Sequence, residues 1–274
     1  MAQFIKCRQT KKLNKGEQKR ENNLFAPALV ATVSLLGVST VTFASSSLPS
    51  QGTVAFTPSN GVTPPYNPNH PNHPVGPVDQ NQPEPGTAGP LSLDFASNFD
   101  FGTHKIQNAD ASYAAKAQKV TDGGAQQEVP DYVQVTDDRG THAGWSLRVA
   151  QNGQFKSDDA KRAKVLTGAT VTLNGSHAIG RMMTPAPQTR DETLPPAGDQ
   201  TVVMNATKGE GAGTWLMPWG ADDILKSENQ VLANNQPTTV LTDPDVILNV
   251  PGSTPREAVA YTTTLTWTLN NVPM

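Results

Sequence analysis

The chain has 274 residues, is rich in glycine (22) and proline (23), and contains one cysteine, Cys7, which excludes a disulfide scaffold and a zinc site built from several cysteines. Residues 1–44 hold seven of the 21 basic residues and two of the 24 acidic ones, so the remaining chain has 14 basic and 22 acidic residues, a net charge of −8. This acidic balance argues against a nucleic-acid partner, because phosphates require clustered Lys and Arg side chains.

The N-terminus has the layout of a signal peptide. Residues 1–23 are basic and polar, residues 24–44 carry no charge, and the small residues Thr42 and Ala44 precede Ser45 at positions suited to cleavage. We therefore predict a signal peptide over 1–44 and a secreted protein. The alternative is an uncleaved anchor, because about 20 mostly apolar residues can cross a bilayer.

Residues 45–90 contain eleven of the 23 prolines and only two charged residues. Proline fixes φ and lacks a backbone donor, so we predict a disordered, extended Pro/Asn-rich tail without helix or sheet interior. His70 and His73 lie in this segment, but two ligands on a mobile chain make a poor metal site. No metal site is predicted.

Residues 91–274 read as one all-β domain. Short alternating or β-branched runs separated by Gly- and Pro-containing turns predict an antiparallel β-sandwich or barrel-like domain with short helical turns and long loops. The predicted strands lie within 91–95, 98–102, 131–137, 145–151, 169–175, 200–206, 245–250 and 261–270. Short helical turns are predicted in 110–119, 158–166 and 221–228, and an aromatic stretch broken by Pro218 in 214–220.

The predicted terminal strand alternates strictly. One face carries large apolar side chains that include Leu265, Trp267 and Leu269, whereas the even positions from Thr262 to Thr268 are all threonine. The threonines are expected on a solvated face, where their hydroxyls could also donate to a glycan. The apolar face is expected either to close the sandwich or to form a platform on which sugar rings stack.

Two segments share a W-x-L tripeptide, Trp145-Ser146-Leu147 and Trp267-Thr268-Leu269. Around them stand LSLDFASNFDFG, GWSLRVAQNGQF, GTWLMPWG and PGSTPREAVAYTTTLTWTLNNVP, in that order. Over residues 91–274 this arrangement resembles the WxL-domain surface proteins of low-GC Gram-positive bacteria. The C-terminal segment is the most specific part of the resemblance.

The resemblance implies a cell-wall and cell-surface protein that attaches non-covalently, with peptidoglycan as ligand. It also implies membrane-anchored WxL-interacting proteins and other WxL proteins as partners, and contact with host extracellular matrix. The alternative function is therefore an interaction protein docked on such membrane-anchored partners. No LPxTG-like motif follows the last strand, so we expect attachment without a covalent bond.

Six apolar residues are the candidate binding residues: Trp145, Leu147, Trp267, Leu269, Trp215 and Trp219. Large apolar residues at period two are usually buried, so a core position is favoured for Trp145 and Trp267. Trp215 and Trp219 lie in a Pro- and Gly-rich stretch, where ligand contacts concentrate, and core and exposed positions are equally expected for them.

No catalytic residue is predicted. The sequence lacks G-x-S-x-G, H-E-x-x-H and a Gly-rich phosphate loop. The paired aspartates at 137–138, 158–159 and 222–223 are adjacent in sequence and would face opposite ways on a strand, so they indicate turns. We expect neither enzyme activity nor a cofactor.

Overall fold

The structure, a computed structural model, describes residues 46–78, 83–231 and 236–274. The predicted signal peptide and its cleavage point before Ser45 lie outside these residues. In the described part the regular elements are β-strands and one 3-10 turn, Asp222–Ile224. The strands are β1 Tyr66–Asn67, β2 His70–Pro77, β3 Leu91–Ala96, β4 Ala111–Lys116, β5 Gln118–Asp122, β6 Ala125–Val129, β7 Tyr132–Asp137, β8 Trp145–Gln151, β9 Thr170–Leu173, β10 Ile179–Gly180, β11 Gln188–Thr189, β12 Glu192–Leu194, β13 Thr201–Ala206, β14 Gly213–Pro218, β15 Lys226–Val231, β16 Pro237–Val250 and β17 Leu265–Asn270.

These strands form four antiparallel sheets. Their orders are β1-β2-β5-β6, β10-β14-β7-β3, β11-β13-β8-β17 and β12-β9-β16-β15, and β4 pairs with β16. The prediction of an all-β, antiparallel, barrel-like domain is confirmed. The turns that follow β7, β8 and β9 contain glycines with positive φ, Gly140, Gly153 and Gly175.

Two cores lie on opposite faces of the β7–β14 pair. Val133 and Val135 of β7 belong to the large core, whereas Tyr132 belongs to the small one. In β14, Trp215 and Met217 belong to the large core and Leu216 to the small one, because side chains alternate between the faces of a strand. The large core also takes side chains from β8, β9, β13 and β16, and the small core takes Val75, Val120 and Val129 from the β2-β5-β6 sheet.

Part of the segment expected to be a disordered tail enters a sheet. Residues 46–64 have no strand, but Tyr66–Asn67 and His70–Pro77 form β1 and β2, and β2 pairs with β5. The prolines of β2 are spaced so that residues with a backbone N–H remain between them. Val75 N donates to Pro65 O at 2.9 Å, and the Val75 side chain is buried. The spaced prolines therefore leave enough donors for a short sheet.

Most of the predicted helical turns are wrong. Residues 110–119 form β4 and the start of β5, because Ala115 and Val120 face the cores and the Ala-rich run pairs with β16. Residues 158–166 contain no helix, and in 221–228 the short 3-10 turn precedes β15. Tertiary pairing here overrides the helical preference of alanine.

Two predicted strands also differ in extent. Residues 98–102 form no strand, although Phe99 and Phe101 still pack against the large core. The terminal strand begins at Leu265 and not at Tyr261. Before it, Thr262 exchanges two backbone hydrogen bonds of 2.9 Å with Lys156, which holds the approach to β17 in place.

The strands all belong to one compact unit, Val54–Met274, and the described residues of the other unit, Met1–Thr53, are exposed and irregular.

Nothing in the described residues forms a helix with the length and hydropathy that a bilayer span requires. Nor do the described residues bring together three or more His, Cys, Asp or Glu side chains as metal ligands. His70 and His73 stack at 5.5 Å, and His73 contacts Asp122.

Candidate binding groove beside the second tryptophan strand

The two W-x-L tripeptides lie on neighbouring antiparallel strands. The register of β17 against β8 places Leu269 opposite Leu147 and Trp267 opposite Val149. Because side chains alternate along a strand, all four W-x-L anchors point to the large core. The structure thus brings together two tripeptides that are 122 positions apart in the chain.

The first tripeptide is structural. Trp145 and Leu147 are fully buried in β8, which has β13 on one side and β17 on the other. The Trp145 indole donates from Nε1 to Gly211 O at 2.9 Å. Gly211 has φ +69°, and a Cβ there would lie 2.8 Å from Trp145 Nε1, so only glycine allows this approach. These two candidates have no surface to offer a ligand.

Trp215 and Trp219 are also in the core. The stretch expected to be irregular is strand β14, with all six residues buried, and Pro218 is its last residue. Trp215 is 3 % exposed and donates from Nε1 to Ala212 O, and Trp219 is fully buried. Pro218 ends the strand instead of breaking it, since a missing N–H is tolerated at a strand terminus.

Trp267 is the tryptophan that reaches the surface. It is partly buried, and its ring lies 5.9 Å from that of Trp219, at an interplanar angle of 37°. One side of the indole therefore rests on the core. Leu269, next but one along β17, is partly buried as well.

Beside these two residues the edges of two sheets meet and leave a groove. β3 is the edge strand of the β10-β14-β7-β3 sheet, and β17 is the edge strand of the β11-β13-β8-β17 sheet. The groove has a volume of about 340 Å³. We call it the tryptophan groove; it is lined by Thr87, Leu91, Leu93, Trp267, Leu269, Asn270 and Asn271.

The tryptophan groove is apolar on its walls and uncharged at its rim. Leu91, Leu93 and Leu269 supply aliphatic surface around the indole, and Thr87 is held by Leu93, whose backbone N donates to the threonine hydroxyl at 2.9 Å. The side-chain amides of Asn270 and Asn271 form no hydrogen bond with other described residues. The groove can therefore stack a flat neutral ring and hydrogen-bond its substituents.

The opposite face of β17 is a polar surface. Asn152 Nδ2 donates to the hydroxyls of Thr264 and Thr266 at 2.9 and 2.8 Å, and Gln200 Nε2 donates to that of Thr268 at 3.3 Å. The threonine ladder is thus tied into side chains of its own sheet and mostly exposed, as the alternation predicts.

Asp243 and Glu257, two carboxyl groups with shifted pKa, are not among the residues that line the groove. Burial raises the pKa of Asp243 to about 7, although backbone N–H groups of Asp245 and Asp131 donate to it. Backbone N–H groups of Ala163, Lys161 and Arg162 lower the pKa of Glu257 to about 2. Both arrangements organise loops and strand junctions, and neither supplies an acid or base to the groove.

The sequence identified Trp267 and Leu269 but not the rest of the groove. Leu91 and Leu93 belong to a strand that the alternation predicts, yet their meeting with β17 depends on how two sheets close on each other. Asn270 ends the terminal strand and Asn271 follows it, and no local pattern distinguishes them from ordinary turn residues.

A family model described as WxL domain, surface cell wall-binding, matches residues 43–273. The match begins well before Leu91, in agreement with the strands at 66–77. Comparisons with curated proteins and with solved structures give no match. The extent of the family match shows that this chain belongs to the WxL-domain family of cell wall-binding surface domains.

Proposed function

We propose that this chain is exported, holds to the cell wall non-covalently, and uses the tryptophan groove to contact the sugar rings of peptidoglycan. The observation that carries the proposal is the partly buried Trp267 beside Leu269, which lines a surface groove in a chain of a wall-binding family. The other three tryptophans are between 0 and 3 % exposed, so the aromatic surface available for stacking is that of Trp267.

The chemistry of the groove suits a neutral N-acetylated sugar. The C–H face of a pyranose packs on an indole, and hydroxyl and acetamido groups pair with carboxamides such as those of Asn270 and Asn271. The groove has no charged side chain, which favours a neutral group over an anionic polymer.

We also propose that the protein is not an enzyme. General acid–base chemistry requires a titratable group near the reacting atoms. The seven residues that line the groove are threonine, leucine, tryptophan and asparagine, and none of these side chains exchanges a proton readily near neutral pH. Turbidity of a wall suspension should therefore stay constant in the presence of the protein.

Sedimentation with purified peptidoglycan sacculi tests the proposal. The wild-type protein should sediment with the sacculi in the absence of any other protein. Asn271→Ala, at an exposed position, and Trp267→Phe should each weaken binding, by about threefold to tenfold, which corresponds to about 0.7–1.4 kcal/mol. Thr264→Ala, on the opposite face of the sheet, is the matched control and should bind like the wild type.

A wild-type protein that does not sediment with bare sacculi would contradict the proposal. That result would favour the alternative, docking on membrane-anchored WxL-interacting proteins or on other WxL proteins. Binding to immobilised host extracellular matrix is a separate arm of the same experiment, and loss of binding in Trp267→Phe would assign it to the same groove.

Export is tested by the mass of the protein recovered from the cell surface. A chain that begins at Ser45 supports cleavage of the predicted signal peptide. Retention of residues 1–44 would instead support a membrane-tethered protein in which the proline-rich segment acts as a stalk.

A further inference from the structure

One edge of the fold has backbone groups that no strand uses. β17 pairs only with β8, and Thr264 O accepts from Asn152 N at 2.9 Å, which fixes the even-numbered residues as those that bond to β8. In an antiparallel pair the remaining residues point their N–H and C=O groups the other way. The backbone groups of Leu265, Trp267 and Leu269 therefore face the free edge.

The other edge strands of the described residues are short, charged or covered. β1, β10 and β11 have two residues each, and β12 has three. Glu128 lies on β6, and Lys226 and Glu228 lie on β15. Thr87 N bonds to Leu93 O along β3, and Lys116 N at the end of β4 bonds to Asp100 O.

β17 has neither charge nor proline, and its backbone edge is bonded to no strand, although β3 approaches it across the tryptophan groove. It has six residues, LTWTLN, without charge or proline and with high β-propensity. Natural proteins blunt edges of this kind with charges, prolines or covering segments, because such an edge pairs readily with another strand. An unprotected edge of this length indicates that another strand covers it.

The sequence of β17 indicates which strand can pair with its free edge. Residues 265–269 read Leu-Thr-Trp-Thr-Leu, a palindrome centred on Trp267. In an antiparallel pair of two such strands, Trp267 lies opposite Trp267 of the second copy, Leu265 opposite its Leu269, and Thr266 opposite its Thr268. Identical residues on each face are then matched across a two-fold axis, as an isologous interface requires.

We propose that two copies of this chain associate through their β17 edges. The odd-numbered residues of the two strands exchange about six backbone hydrogen bonds, two for each opposed pair. The two β11-β13-β8-β17 sheets become one continuous eight-stranded sheet with the two-fold axis at Trp267. The tryptophan groove, alongside the same edge, leaves space for the inward side chains of the second copy.

Charge substitutions at the opposed threonines test the register. The variant Thr266→Lys/Thr268→Lys places like charges opposite each other at two positions, so it should remain a monomer. The variant Thr266→Lys/Thr268→Glu places opposite charges in the same two positions, so it should dimerise at least as well as the wild type. Both variants change the same two solvent-side threonines, which makes each the control of the other.

Sedimentation equilibrium of the full chain, without wall material, gives the result. The expected wild-type mass rises with concentration from that of one chain towards twice that value. A wild type that stays monomeric over about a hundredfold concentration range would overturn the proposal. So would a Lys/Lys variant that dimerises as well as the Lys/Glu variant, provided that near-UV circular dichroism shows both variants to be folded. Because no glycan is present, this outcome is independent of peptidoglycan binding.

Discussion

Trp145 and Trp267 occupy the same position in their tripeptides but have different surroundings. Trp145 lies on a central strand and is fully buried, with its Nε1 bonded to Gly211 O. Trp267 lies on an edge strand, where one flank of the indole packs on Trp219 and the other reaches the groove. The shared motif therefore supplies one core residue and one surface residue.

This difference predicts that the same substitution costs more stability at Trp145 than at Trp267. Trp145→Ala removes a fully buried indole and should lower the free energy of unfolding by about 3–5 kcal/mol, whereas Trp267→Ala should cost about 1–3 kcal/mol because part of its surface is already in water. Urea unfolding measures both values. Equal losses, or a larger loss at Trp267, would contradict the assignment of Trp145 to the core.

Asp243 makes the stability of the protein depend on pH. Its carboxyl group is fully buried, and its pKa of about 7 lies above the ordinary value near 4 of the unfolded chain. The folded state therefore holds the proton more tightly than the unfolded state, and the resulting stabilisation is lost as pH rises from about 4 to about 7. Burial also raises the pKa values of Asp94 and Asp245, and these two groups change the stability in the same direction.

Asp243→Asn isolates the contribution of this residue. The variant cannot ionise, so between pH 4 and pH 8 its stability relative to the wild type should improve by roughly 2–4 kcal/mol. The measurement is the free energy of unfolding at both pH values. Leu241→Ala, close by on β16 and without a titratable group, serves as control, and its difference from the wild type should not change with pH. A constant difference for Asp243→Asn as well would contradict the high pKa.

At the level of elements, strict alternation predicted strands well. The runs that became β3, β7, β8, β9 and β13 each alternate or are β-branched and lie between turn residues. Prediction from sequence failed where pairing, not local pattern, decides the structure. Residues 110–116 have helical preference but lie against β16, and the prolines of 70–77 discourage strands although Val75 and its neighbours keep the donors that a short sheet needs.

Gln134 of β7 bonds to the proline-rich segment just before β1. Its amide donates to Pro64 O and to Asp94, and accepts from Tyr66 N at 2.8 Å. Arg181 then stacks on the Tyr66 ring at 3.7 Å. Gln134 thus holds the entry to β1 against the β7 sheet, together with Asn67, whose amide donates to Asp122 and Gln127.

Gln134→Ala should release this segment without unfolding the domain. Local opening exposes Tyr66, so chymotrypsin should cleave after Tyr66 several times faster than in the wild type. The control is Gln126→Ala, at an exposed position of β6. Unchanged cleavage at Tyr66 in the Gln134 variant would show that other contacts hold the segment.

At the scale of the whole molecule, the groove results from two sheets that end on the same side. The sequence predicts both edge strands, but it contains no local signal that β3 and β17 should meet, because strand order is set by pairing between segments about 170 residues apart. This explains why Trp267 and Leu269 were identified from sequence and why Leu91 and Leu93, which complete the groove, were not.

The position of the groove makes its two proposed uses compete. A second copy paired along β17 would occupy the space that a sugar ring takes beside Trp267, so only the monomer would leave the groove open. Soluble peptidoglycan fragments should therefore lower the dimer fraction of the wild type and bind the Lys/Lys variant of Thr266 and Thr268 more tightly than the Lys/Glu variant. Sedimentation equilibrium with increasing fragment concentration measures the first effect, and titration of the tryptophan fluorescence measures the second. A dimer that binds fragments without dissociating would show that strand pairing leaves the groove accessible, and the wall would then be contacted by two grooves of one symmetric particle.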